Sequence, residues 1–228
     1  MKVLAYDFET TGPVPRECEP LQLGAALVEI HEDGSYTIED TFDQLIQIEA
    51  VEVPAGAYRV HGIDKEKAMT GVPPSPFIAQ MLEKETVLGY NNGSFDDVIA
   101  KRYGAEIAVS IDLFKATRKL KTMGVIEKAT LSAAYKALTG KEPEGAHDAL
   151  CDVKMTLALI QPCMMHFKCE TFSEFVGVLN QVTADVNMKM PFGKHKDVQL
   201  CKLPKAYVAW AKKNMDMTGD LKASFDLL

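Results

Sequence analysis

Val3-Leu4-Ala5-Tyr6-Asp7-Phe8-Glu9-Thr10-Thr11-Gly12 decides how this chain is read. Five of its first six residues up to Phe8, all but Asp7, are apolar or aromatic, the pattern of a strand buried on both faces. Successive strand side chains point to opposite faces, so Asp7 and Glu9 project the same way. Two carboxylates so placed are held together at low cost only where a cation neutralises them. Hard oxygen ligands of this kind suit magnesium or manganese. A strand ending in two solvated acids has the same local pattern, so the rest of the chain must decide between the two.

The chain has 228 residues, enough for one sizeable core and a small appendage. Its 47% hydrophobic and 25% charged residues are those of an ordinary globular protein. No apolar run approaches the length of a membrane span, and the chain enters a strand at once rather than a signal sequence. Cys18, Cys151, Cys163, Cys169 and Cys201 form no CxxC pair, which predicts reduced thiols and a cytoplasmic location. The net charge of −7 excludes indiscriminate nucleic-acid binding over the whole surface. Charge is uneven, however: Met188 to Asn214 carries seven lysines against one acid, and Lys101 to Lys128 seven basic residues against three acids. An acidic body with two basic segments fits a substrate that carries phosphates.

Leu21 to Ile30 reads as a second strand, followed by an Asp33-Gly34 turn and one or two strands over Tyr36 to Ile48. A short helix is expected to stop at Gly62, and another to begin at Ser75-Pro76 and run to about Glu85. Val87 to Tyr90 is a short strand, and Ser94 is expected to cap a helix with Asp96 in its first turn. Ile107 to Ile111 reads as a strand, then helices over Leu113–Met123, Leu131–Leu138, Asp148–Phe167 and Thr171–Val182. Strands first and then alternation predict an α/β fold, a mixed central sheet flanked by helices. Composition changes near 183–188, dividing a domain at 1–182 from a small basic module at 188–228, whose helix is Leu203 to Trp210.

Asp7, Glu9, Asp96 and Asp152 each stand where a strand meets a loop or helix, and His147 lies on a Gly-Ala-His loop five residues before Asp152. Five residues apart on one helix are separated by roughly 140°; with His147 on the loop and Asp152 in the helix, both can reach one site. Here the sequence resembles the DEDDh-type, DnaQ-like 3′→5′ exonucleases, which include proofreading subunits, ribonuclease T and exodeoxyribonuclease X. Asp7-Phe8-Glu9-Thr10-Thr11-Gly12, Asn92-Gly93-Ser94-Phe95-Asp96 and His147-Asp148-Ala149-Leu150-Cys151-Asp152 match the three family motifs in order. Asn91 stands where a histidine is common in the second motif. Met190 to Lys196 with Leu203-Pro204 and Tyr207 to Trp210 is similar to the small C-terminal module of exodeoxyribonuclease X-like proteins.

The resemblance implies a ribonuclease H-like fold and hydrolysis of DNA 3′ ends, single-stranded and in some cases duplex, to 5′ mononucleotides. It implies that Asp7, Glu9, Asp96 and Asp152 hold two divalent cations, Mg2+ or Mn2+, with His147 as general base. Thr10 and Thr11, Asn92, Phe95 and Tyr90 are the expected substrate contacts, although core packing suits both aromatics. Asp97 and Asp148 compete with Asp96 and Asp152; motif spacing selects the latter pair and leaves a helix-start acid and an N-cap.

Alternative readings are an RNase T-like exoribonuclease and an accessory subunit docked to a polymerase or clamp. Gln199 to Leu203 and Ser224 to Leu228 faintly resemble clamp-binding peptides. Cys163, His166 and Cys169 share spacing that zinc can use, but a fourth ligand is not evident. His31, His61 and His195 read as turn, packing and surface residues. Tyr207 and Trp210 read as a packing pair or as a basic, aromatic face toward DNA.

Overall fold

The computed structural model describes residues 1–49, 52–83, 85–182, 184–215, 217 and 219–228. Strands β1 (Lys2–Thr10), β2 (Pro20–Ile30) and β3 (Tyr36–Leu45) form an antiparallel meander. Strands β4 (Thr86–Gly89) and β5 (Val109–Asp112) add in parallel on the other side of β1, giving the order β3-β2-β1-β4-β5. The sheet is therefore mixed, as predicted, with β1 at its centre.

Alternation along β1 decides which helices cover which face. Leu4, Tyr6 and Phe8 pack with Ile78 and Leu82 of α3 (Pro74–Leu82) and with Ile99 and Ala100 of α4 (Asp96–Arg102). Val3 and Ala5 face the other way, toward α5 (Phe114–Thr122), α6 (Leu131–Thr139), α7 (Ala149–Ala158), α8 (Ile160–Phe167) and α9 (Phe172–Asn180). Each fully buried Leu, Ile, Val or Phe contributes about 1.5–3 kcal/mol, so both layers hold β1 firmly. Asp7 and Glu9 continue the α7-side face beyond the last apolar residue.

Glycine at position 24 sets how close α7 comes. Gly24 is paired with Asp7 in the β1–β2 register, and a Cβ there would lie 2.2 Å from Leu150 N and 2.3 Å from the Ala149 carbonyl carbon. The first turn of α7 thus rests on the β2 backbone beside Asp7. Asp148 caps that helix by accepting from Cys151 N at 3.0 Å, and Gln22 Nε2 donates to the same carboxylate at 3.2 Å.

Several elements differ from expectation. The helix predicted over Asp148–Phe167 is two helices, α7 and α8, meeting at Leu159. Ser94 does not cap α4: Asn92–Ser94 forms a 3₁₀ turn, Phe95 precedes the helix, and Ser94 Oγ donates to Asn91 Oδ1 at 3.0 Å. Over Tyr36–Ile48, where one or two strands were expected, β3 is a single strand that ends at Leu45. A short helix, α2 (Lys65–Ala68), follows α1 (Ala55–His61) and escaped the sequence reading for want of periodicity. Lys84, within the helix expected to reach Glu85, lies outside the described residues; α3 ends at Leu82.

The chain forms two compact units, Met1–Leu179 and Asn180–Leu228. The division falls at the end of α9 rather than within 183–188, of which Thr183 lies outside the described residues. The stretch after it is part of the second unit: Asp185 N donates to Ser224 Oγ and Cys201 N to Val186 O, both at 2.8 Å. Met190, Leu200, Leu203, Ala211 and Phe225 form the core of this unit, between α10 (Lys205–Asn214) and α11 (Gly219–Asp226). α11 was not foreseen. Leu200 and Phe225 are wholly buried there, so the two clamp-like peptides spend their central apolar residues on folding.

Candidate active site

Beyond Gly89 the β4 edge ends, and β1 runs on without it. The Phe8 N–H that emerges there is accepted by Asp96 Oδ1 at 3.0 Å. This bond ties the start of α4 to the strand that carries Asp7 and Glu9. The neighbouring Asp97 points the other way, accepting from Tyr6 Oη at 2.6 Å and from Asn92 Nδ2 at 3.4 Å. Asp96 is the cleft acid and Asp97 a scaffold acid, the division that motif spacing selected.

From the opposite face, α7 delivers Asp152 one turn after its cap. His147 stands on the loop before the cap with φ +69°, and Gly145 has φ +65°. Left-handed backbone at a non-glycine residue is strained and is retained where surrounding structure enforces it. Here His147 N donates to Asp152 Oδ1 at 3.3 Å, which turns the exposed imidazole toward the acids. A ligand atom from each of Glu9, His147 and Asp152 lies within 4.8 Å of the other two. Among the described residues no other group of three such side chains gathers this way, Cys163, His166 and Cys169 included. Cys163 is buried in the core.

Asp7, Glu9, Asp96, Asp152 and His147 line one cleft of about 540 Å³. Glu9 and Asp96 are buried, Asp7 and Asp152 half-buried. Burial raises the pKa of all four, and repulsion within the cluster adds to it at Asp7 and Glu9. Asp7 rises well above the carboxylate range, through burial first and then through Asp96, Asp152 and Glu9. Glu9 is pushed to about 8 by burial and by Asp152 and Asp96. Burial lifts Asp96 to about 7 against the Phe8 N–H bond, and Asp152 to about 6 against the His147 N–H bond. Such a cluster lacks positive charge. Its hard oxygen donors, with one imidazole beside them, fit a divalent cation.

The flanking wall departs from expectation. Asn92 does not line the cleft: it is wholly buried, its Nδ2 donating to Ser110 Oγ at 3.0 Å and its Cβ filling the space above Gly89. Asn91 lines it instead. Thr10 and Thr11 line the cleft, but their polar groups are engaged. Thr11 N donates to Glu19 O, Glu19 N donates to Thr11 Oγ1, and Thr10 Oγ1 donates to Gly12 O, all at 2.9 Å. Tyr90 and Phe95 are half-buried, each with a side toward the cleft. Tyr90 is anchored, donating to Ala129 O and bonding Thr117 Oγ1, both at 2.7 Å. His61, read as a packing residue, also lines the cleft. Ile63 N donates to its Nδ1, so its Nε2–H donates to Thr10 O at 3.2 Å. The signal for it was α1 itself, a helix with no buried residue whose Val60 is 50% exposed beside the acids.

A family model described as Exonuclease, RNase_T, matches residues 4–160. The chain belongs to this exonuclease family. That match covers every acid of the cleft and His147. A second model, described as a putative quorum-sensing-regulated virulence factor, matches 179–222, close to the bounds of the second unit. No curated protein matches the chain. Among solved structures, Escherichia coli exonuclease I in complex with a dT13 oligonucleotide aligns with a TM-score of 0.62 at 22% identity, over 82% of this chain and 47% of that one. Exonuclease I from Methylocaldum szegediense aligns at 0.58 and 21% identity, over 72% and 40%. The chain therefore spans about half the length of these relatives, and the likeness is one of fold, ribonuclease H-like.

Proposed function

We propose that the protein is a metal-dependent 3′→5′ exonuclease that hydrolyses the terminal phosphodiester of DNA to 5′ mononucleotides. The observation that carries this reading is the convergence of Asp7, Glu9, Asp96 and Asp152 from three chain segments on one cleft, with His147 beside them. The four carboxylates are the groups that would hold two cations, Mg2+ or Mn2+. When bound, these supply Lewis-acid activation of water and neutralise charge at the phosphate. His147 accepts the attacking water's proton at its imidazole. Asp152, bonded to the His147 backbone, holds that ring at the cleft. Tyr90, Phe95 and the apolar face of α1 supply ring and aliphatic surface on which terminal nucleotides stack. The solved relatives bound to oligonucleotides support DNA as the substrate class.

End-labelled single-stranded DNA, duplex DNA and RNA, each with Mg2+ or Mn2+, test the reading. Wild-type protein is expected to shorten DNA from its 3′ end. His147→Ala should lower turnover by about 10²–10⁴-fold with an unchanged melting temperature, because the side chain is exposed. Asp7→Asn should abolish both hydrolysis and the calorimetric signal for Mn2+. Full activity in His147→Ala, or undiminished Mn2+ binding in Asp7→Asn, refutes the assignment.

A further inference from the structure

The unit Asn180–Leu228 carries a surface that the cleft chemistry leaves unused. On α10, Tyr207 and Trp210 lie one turn apart, their ring centroids 5.7 Å apart and their planes 30° from parallel. His195 packs edge-on against Tyr207 at 4.3 Å. Tyr207 is half-buried against the unit's core, whereas Trp210 is 52% exposed. The stack thus has one anchored ring and one ring open to solvent. A pair serving packing alone would bury the indole, the larger apolar surface.

Basic residues adjoin these rings along the chain on both elements. Lys194 and Lys196 are the chain neighbours of His195, which contacts Tyr207, and Lys213 follows Trp210 by one turn on the same face of α10. All three lysines are exposed, and among the described residues none forms an ion pair. Met188 to Asn214 holds a single acid, Asp197.

We propose that this face is a second nucleic-acid site, a stacking platform for a single strand, with bases on Trp210 and phosphates on Lys194, Lys196 and Lys213. An unpaired strand offers base faces to an open indole, and a duplex does not. Lysines with no acidic partner complement a polyanion. That the polyanion is a nucleic acid rests on the function proposed above. Because the platform is tethered to the catalytic unit, it raises the local concentration of strand without a new contact in the cleft.

Trp210 is the chain's single tryptophan, so selectively excited indole fluorescence reads this site alone. Full-length protein in EDTA, titrated with oligothymidylate, is expected to show saturable quenching. Anisotropy of a labelled strand should show Trp210→Ala binding roughly 5- to 100-fold more weakly and Trp210→Phe recovering most of the loss. Replacing Lys194 and Lys196 by Gln should flatten the salt dependence of log K by about 1.4. Thermal melts are expected to be unchanged, since all these side chains are exposed. Absence of quenching, or unaltered affinity in Trp210→Ala, overturns the proposal. The two readings fail separately: DNA cut without quenching sinks the platform alone, and quenching in a protein that cuts nothing with metal sinks the nuclease reading alone.

Discussion

At the scale of single residues, adjacent acids of one type have opposite duties because the backbone between β4 and α4 aims them differently. Asp96 accepts the Phe8 N–H at the open end of β1, and Asp97 accepts the Tyr6 hydroxyl within the core. Asp96→Asn is expected to remove activity while leaving the fold intact, even stabilised at neutral pH, since it deletes a buried, repelled charge. Asp97→Ala leaves the buried Tyr6 hydroxyl unpaired, which costs about 1–3 kcal/mol, and should lower the melting temperature while retaining metal-dependent cleavage at permissive temperature. Urea unfolding paired with end-labelled cleavage separates the two. Reversed phenotypes would exchange their roles. The spacing from Asn92 selected the acid that lines the cleft, whereas Asn92 itself lies outside it. An Asn within a family motif reads as a contact, and only burial against Gly89 shows it to be a strut.

At the scale of elements, the candidate site depends on how closely α7 can lie on β2. Both halves of the site were legible as motifs. Their apposition was not, because it runs through Gly24, a residue that in a strand reads only as a weak point. Gly24→Ala places a Cβ against backbone atoms of Ala149 and Leu150, which no side-chain rotamer relieves. Overpacking of this kind costs about 1–3 kcal/mol, and displacement of α7 carries Asp152 and His147 away from Asp7. The expected outcome is a lower melting temperature together with a fall in turnover that persists at temperatures where the variant is folded. Wild-type turnover in folded Gly24→Ala would show that α7 is positioned by other contacts. The break between α7 and α8 at Leu159 was illegible for a different reason: both halves are apolar on the sheet side, so the period runs through it without interruption.

At the scale of the whole molecule, the acid cluster links stability to pH in the direction opposite to a salt-bridged protein. Glu9, Asp96 and Asp152 have higher pKa values folded, about 8, 7 and 6, than their unfolded values of 4.5, 3.8 and 3.8. The native state therefore binds more protons than the unfolded chain between about pH 4 and 8, and metal-free stability falls as pH rises through that window. For a chain of this size, each 1 kcal/mol lost shifts the melting temperature by about 2–4 °C. In EDTA the melting temperature should be lower at pH 8 than at pH 5.5, and Mn2+ should restore it at pH 8 far more than at pH 5.5. A metal-free melting temperature that rises over this range would refute the account of these carboxylates.

The sequence by itself determined the mixed sheet, the succession of its strands along the chain, and which acids and histidine line the cleft at its centre. These follow from local rules: alternation along β1, proline and glycine at helix ends, and motif spacing within single segments. The packing distance between α7 and β2, the engagement of Thr10 and Thr11, the burial of Asn92 and the opening of His61 onto the cleft were decided by tertiary structure. Each depends on atoms tens of residues apart competing for one space or one hydrogen bond, and no local pattern along the chain records who wins.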